Sequence, residues 1–176
     1  MGKATVDIDN RQTQFEISPR AIKKIARNIL GVLAFPEGEL SMVLMDDAQI
    51  TVINRDYLGR DRPTNVIAFP MRESPYGEIT PGLLGDVVIS LQTAKAEAVH
   101  GGLAMETRFC QLLVHGILHL FNYDHETSRE DAAIMEAKSQ EILKLIEKQC
   151  ESMPVFTDKD KNADPAGPST TARAER

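Results

Sequence analysis

No stretch of this 176-residue chain reaches the ~20 continuous apolar residues that a membrane-spanning helix needs. The longest candidate, Phe109 to Phe121, is interrupted by Gln111, His115 and His119. The opening MGKATVDIDN lacks the apolar segment of a secretory signal, and Val6 stands where a myristoylation signal wants Ser or Thr. Cysteine is scarce. Cys110 falls in an apolar segment and Cys150 near the chain's end, an arrangement that suggests no disulfide framework and favours a reducing cytoplasm. Basic charge is not in excess: the net charge is −6, which argues against a general, charge-driven nucleic-acid binder. Residues 157–176 contain no Leu, Ile, Val, Phe or Met and cannot bury enough to offset ordering entropy. The expected organisation is therefore one domain over residues 1–153 and a disordered tail over 154–176.

Histidine is also rare, with four in the chain, yet three of them fall in HGILHLFNYDH, residues 115–125. His115 and His119 are four apart among Leu112, Leu113, Val114, Ile117, Leu118 and Leu120, which reads as a buried helix. Positions i and i+4 share a helix face, roughly 6 Å apart along the axis, so two imidazoles there can grip one ion. For His125 to join them the helix must end near Phe121 and the chain must turn back. Asn122 sits where that turn is needed, and Asn tolerates the left-handed conformation that ends many helices. Three neutral nitrogen ligands with no fourth protein ligand leave a coordination position open, the arrangement of a catalytic zinc. His100 is expected to lie elsewhere. Asp124 or Asp86 is a candidate to orient a ligand histidine from behind, against plainer roles as turn former and strand-end polar residue.

The same histidine spacing occurs in the metzincin peptidases, where a Glu beside the first His acts as general base. Here that position is Gly116, which carries no proton. The metal spacing is kept while the peptidase base is missing.

HGILHLFNYDH resembles the signature of the YbeY family of bacterial metal-dependent endoribonucleases. RDRPTNVIAFP, residues 60–70, and LLGDVVIS, residues 83–90, are similar to two further segments of that family, in the same order. The resemblance covers roughly residues 4–150. It implies zinc on His115, His119 and His125 and RNA as substrate. It further implies ribosomal RNA and small-subunit components as partners; no membrane and no DNA are expected. The family usually has Gly where this chain has Asn122. Its functional arginine usually follows the tyrosine that opens the central loop; here Tyr57 is followed by Leu58. Arg60 and Arg62, in the same loop, are the candidates to replace it. Arg60 is the better placed, because Gly59 before it is free in φ whereas Pro63 biases Arg62 towards an extended backbone.

Other basic residues also recur. Arg20, Lys23, Lys24 and Arg27 fall at helical spacing in a segment without acid, and Arg55 and Arg72 flank the central loop. Residues 4–9 alternate like a half-buried strand, and 40–45, 65–69 and 84–91 read as further strands. Ser18-Pro19 starts a helix, Asp46 or Asp47 caps a second, and Ser128 caps the last. Glu73 to Gly82 reads as a loop. The expected fold is α+β, a single mixed four-stranded sheet surrounded by about five helices, with a parallel crossover between the first two strands. The leading functional expectation is metal-assisted hydrolysis of an RNA phosphodiester. Two rivals stand beside it. One is a metallopeptidase or amidohydrolase using Glu106 or Glu126 as base; the other is a non-catalytic, ribosome-associated RNA-binding module whose ion only fixes the fold.

Overall fold

The computed structural model describes residues 3–72 and 80–157. The elements run β1 (Thr5–Asn10), β2 (Glu16–Ile17), α1 (Pro19–Val32), β3 (Glu39–Met45), α2 (Asp47–Leu58), β4 (Val66–Pro70), β5 (Leu83–Ser90), α3 (Leu91–His100), α4 (Met105–Leu120), α5 (Arg129–Ser152) and β6 (Phe156–Thr157). The main sheet has the order β1-β3-β5-β4. β1, β3 and β5 are parallel and β4 runs antiparallel to β5. This is the expected α+β fold with a mixed four-stranded sheet and five helices, and the β1–β3 connection through α1 is the parallel crossover foreseen.

Local chemistry sets the helix starts. Ser18 caps α1 by accepting from the Ala21 N–H at 3.3 Å, with Pro19 in the first turn. Of the two aspartates offered for α2, Asp46 is the cap, in a capping box with Gln49. Ser128 caps α5, which continues to Ser152.

One face of the sheet carries the main core. Met42, Leu44, Leu84, Val87 and Ile89 meet Ile22, Ile25 and Ile29 of α1, Phe109, Leu113 and Ile117 of α4, and Ile142 and Ile146 of α5. The other face carries a smaller cluster, Met45, Ile50, Ile67 and Val88, under α2. Among the described residues no helix is long and apolar enough to cross a membrane.

Two expectations are corrected. Cys110 and Cys150 are joined as a disulfide, because α5 runs back along α4 and brings residues 40 apart into contact. The boundary after Met153 also moves. Val155 is wholly buried, its carbonyl accepts the Ser18 N–H at 2.8 Å, and β6 pairs antiparallel with β2 as a second, two-stranded sheet. The domain thus extends to Thr157. The tail beyond it, and most of the Glu73–Gly82 loop, lie outside the described residues.

Candidate metal centre

One helix and the turn that ends it build the centre. α4 is buried along most of its length, and His115 and His119 emerge half-buried on one face. Their Nε2 atoms lie 3.1 Å apart. Asn122 then adopts φ 64°. Its N–H donates to the His119 carbonyl at 3.1 Å, and the Tyr123 N–H donates to the Leu118 carbonyl at 3.2 Å. This is the Schellman pair of bonds, which satisfies the last carbonyls of a helix around one left-handed residue. Next, the Asp124 carboxylate accepts from the Glu126 N–H at 2.9 Å and the Thr127 hydroxyl at 2.8 Å. These two turns carry His125 back to the helix end.

One nitrogen from each of His115, His119 and His125 lies within 4.8 Å of the other two. Three such atoms share a centre at most ~2.8 Å from each, and small ring pivots bring that to the ~2.0–2.1 Å of a zinc–imidazole bond. His100, exposed at the end of α3, is outside the group. Burial first, then the neighbouring His119 and His125, pull the pKa of His115 down to about 4. Burial and His125 lower that of His119 as well, against the opposing pull of Asp124 and Glu126. Both rings are neutral near pH 7, so each keeps a lone pair for a cation. The donor set therefore fits one divalent ion of the kind that imidazole prefers.

The histidines open onto a cleft of about 890 Å³. Its lining comes from three places: the end of α4 with the following turn, edge strand β4, and the end of α2 with Tyr57, Leu58 and Arg60.

The family model described as Endoribonuclease YbeY matches residues 7–147. The chain belongs to the YbeY family. It is 51% identical over 143 residues to the Endoribonuclease YbeY of Geobacter sulfurreducens, covering 81% of this chain and 95% of that one. The corresponding protein of Geobacter metallireducens is 48% identical over 145 residues, covering 82% and 97%. That of Syntrophotalea carbinolica is 45% identical over 145 residues, covering 82% and 97%. A protein of Thermotoga maritima solved in solution has the same fold. Its TM-score is 0.54 at 19% identity, covering 85% of this chain and 97% of that one.

In this YbeY-family chain the helix position beside the first histidine is sterically reserved. A Cβ on Gly116 would lie 2.7 Å from Val87 Cγ1 and 3.0 Å from Val66 Cγ2. Valine methyls are stiff at χ1 and have no room to retreat in a close-packed core. A glutamate beside His115 is thus excluded by α4 packing onto β4 and β5. Gly116→Ala is expected to cost roughly 1–3 kcal/mol through overpacking, read as a lower denaturation midpoint. An unchanged midpoint would show that the helix and sheet can part without penalty.

The other candidate residues divide. Arg60 lines the histidine cleft, and Arg62 does not. Arg62 borders only an adjoining hollow of about 230 Å³, which Arg60 also lines, and its carbonyl accepts from Asn54 Nδ2 at 2.7 Å. Among the described residues the ion-pair partner of Asp56 is Arg55, whose Nε donates at 3.1 Å. Asp86 is the correction. It alternates with Val87, which faces α4, so it belongs to the opposite face of the sheet and orients no ligand histidine. Asp124 is the turn former, its two oxygens engaged within its own loop. Glu106, in the first turn of α4, is about 13 Å along the helix from His115, whereas Glu126 borders the cleft.

Asn65 was not singled out from sequence as a site residue. It lines the cleft, and its Nδ2 donates to Glu97 at 3.0 Å. Glu97 in turn holds Arg108 of α4 at 2.9 Å. This chain of contacts braces the start of β4 against the helix that carries the histidines. The only sequence signal for it was the P-T-N-V segment itself.

Proposed function

We propose that this protein is a metal-dependent endoribonuclease that hydrolyses single-stranded RNA phosphodiesters in small-subunit ribosomal RNA maturation. Zinc would be held by His115, His119 and His125. The observation that carries the reading is the convergence of three imidazoles on an open cleft that also holds Arg60, in a chain whose relatives bear the name endoribonuclease. When bound, such an ion supplies a Lewis acid that polarises a phosphoryl oxygen and makes hydroxide available near neutral pH.

The chain's own residues supply the rest. Arg60 has no ion-pair partner among the described residues and follows Gly59, which ends α2 at φ 67°. Its guanidinium neutralises phosphate charge through paired hydrogen bonds. The Schellman turn and the Asp124 turn hold His125 in place without a further ligand. A cytoplasmic location belongs with this reading, and in such a reducing compartment the Cys110–Cys150 disulfide of the structure would be opened to a thiol pair.

The two rivals are less well supported. A peptidase lacks the carboxylate beside His115, and the packing of Gly116 leaves no space for one. A purely structural ion has little to hold, since α4 is already buried on the sheet and His125 is exposed.

The test is cleavage of end-labelled single-stranded RNA by zinc-loaded protein, beside a duplex and a peptide library. Peptide hydrolysis without RNA cleavage would overturn the reading. Within it, Arg60→Ala is expected to slow cleavage roughly 10- to 100-fold, the size of a lost hydrogen bond to a charged group. Arg62→Ala should stay within about threefold, because that residue does not line the histidine cleft. Equal rates for Arg60→Ala and the parent would remove Arg60 from the site.

A further inference from the structure

α2 meets the sheet through buried Ile50 and half-buried Ile53, which pack with Met45, Ile67 and Val88. Position 57 lies seven residues beyond 50, on the same helical face. Tyr57 and Leu58 thus continue the inner face of α2 past the point where protein covers it. They are 72% and 50% exposed. Two adjacent exposed side chains with apolar faces thus stand at the rim of the histidine cleft.

Tyr57 is braced. Phe69 of β4 meets it edge to face, with ring centroids 5.2 Å apart and planes at 70°. That contact sets the ring's orientation while leaving most of it in solvent. Phe69 in turn packs on the small core under α2. Tyr57, Leu58 and Phe69 line the same cleft as Arg60 and the three histidines. A phosphate gains nothing from such a surface, whereas a nucleobase brings a flat apolar face to it.

We propose that Tyr57, braced by Phe69 and flanked by Leu58, is a stacking platform for one unpaired nucleobase of the RNA substrate. The proposal rests on the RNA reading above and adds to it where the base sits. A base within a duplex already has both faces covered by its neighbours, so the platform favours single strands. Arg60 then serves the phosphate and Tyr57 the base, which gives an exposed leucine at position 58 a purpose that a cation there would not share.

The experiment is single-turnover cleavage of a single-stranded oligoribonucleotide by the zinc-loaded full chain at varied protein concentration. This separates the half-saturating concentration from the limiting rate. Tyr57→Ala is expected to raise the half-saturating concentration about tenfold, within the roughly 5- to 150-fold range of one lost base–aromatic stack. Its limiting rate should stay within about threefold, and Tyr57→Phe should match the parent because stacking needs no hydroxyl. Substrates with one abasic site at successive positions supply the second readout. At one position, removing the base should weaken the parent as much as Tyr57→Ala does, and weaken Tyr57→Ala no further. Equal saturation of Tyr57→Ala and parent overturns the platform alone, as does a loss in Tyr57→Phe as large as in Tyr57→Ala. Abasic penalties undiminished in Tyr57→Ala at every position do the same. Failure of the parent to cleave RNA at full zinc content overturns both the platform and the function it rests on.

Discussion

Replacing His119 by alanine is expected to leave purified protein nearly free of metal and to abolish RNA cleavage. The three rings form a nearly equilateral triangle, with centroids 4.7 Å apart for His115 and His119, 5.1 Å for His115 and His125, and 5.2 Å for His119 and His125, so removing His119 removes one full corner. Without it, His115 and His125 are two donors on separate segments, one on a rigid helix and one on a turn. Structural zinc sites are worth roughly 10–16 kcal/mol over four ligands, so one ligand accounts for about 2.5–4 kcal/mol and its loss for roughly 60- to 700-fold in affinity. The metal-free fold should survive. His119 is half-buried at the surface end of α4, and its ring makes no hydrogen bond that the core depends on. Elemental analysis of the two purified proteins decides the matter. His100→Ala is the matched control and should carry as much metal as the parent, because His100 stands apart on α3. Near-equal metal in His119→Ala and parent would mean that the three histidines do not form the site.

Ending the chain after Met153 is expected to lower the melting temperature by about 10–20 °C. Val155 is wholly buried, and burial of such a side chain is worth ~1.5–3 kcal/mol. Phe156 sits edge to face with Phe109 at 5.5 Å and Phe15 at 6.2 Å, each contact worth ~0.5–1.5 kcal/mol beyond area. Truncation also strips the Ser18 N–H of its partner, the Val155 carbonyl, at the very cap of α1. Together these come to roughly 3–6 kcal/mol, at ~2–4 °C per kcal/mol for a chain of this size. A chain ending at Thr157 should melt within ~2 °C of the full one, since residues 158–176 include no large aliphatic side chain and no aromatic. Equal melting of the two truncations would show that β6 and Val155 contribute nothing.

Composition alone pointed to the opposite result for that truncation, and the reason is instructive. The segment after Met153 has a single Val-Phe pair among polar residues. Two apolar residues make no period, so nothing in the local pattern distinguishes an anchor from a solvated end. What anchors them is β2, two residues long and some 140 positions earlier, together with a gap between Phe15 and Phe109. The disulfide was hidden for the same reason. Cys110 and Cys150 are neighbours only because α5 doubles back along α4.

The centre itself was legible to an unusual degree. Two histidines on one turn of an apolar helix, an asparagine able to take positive φ, and a third histidine three residues later are all statements about fewer than a dozen consecutive residues. Helix periodicity and helix-ending hydrogen bonds act over that range. The sequence by itself therefore determined α4, its left-handed end at Asn122, the return of His125, and the caps at Ser18 and Ser128, and narrowed the cap of α2 to Asp46 or Asp47. The tertiary structure alone decided which face of β5 Asp86 occupies, why position 116 has no room for a side chain, and that Tyr57 overhangs the site. Each of these depends on the β4–β5 register or on how a helix is laid against the sheet. Packing of that kind joins residues tens of positions apart, through contacts that no local spacing encodes.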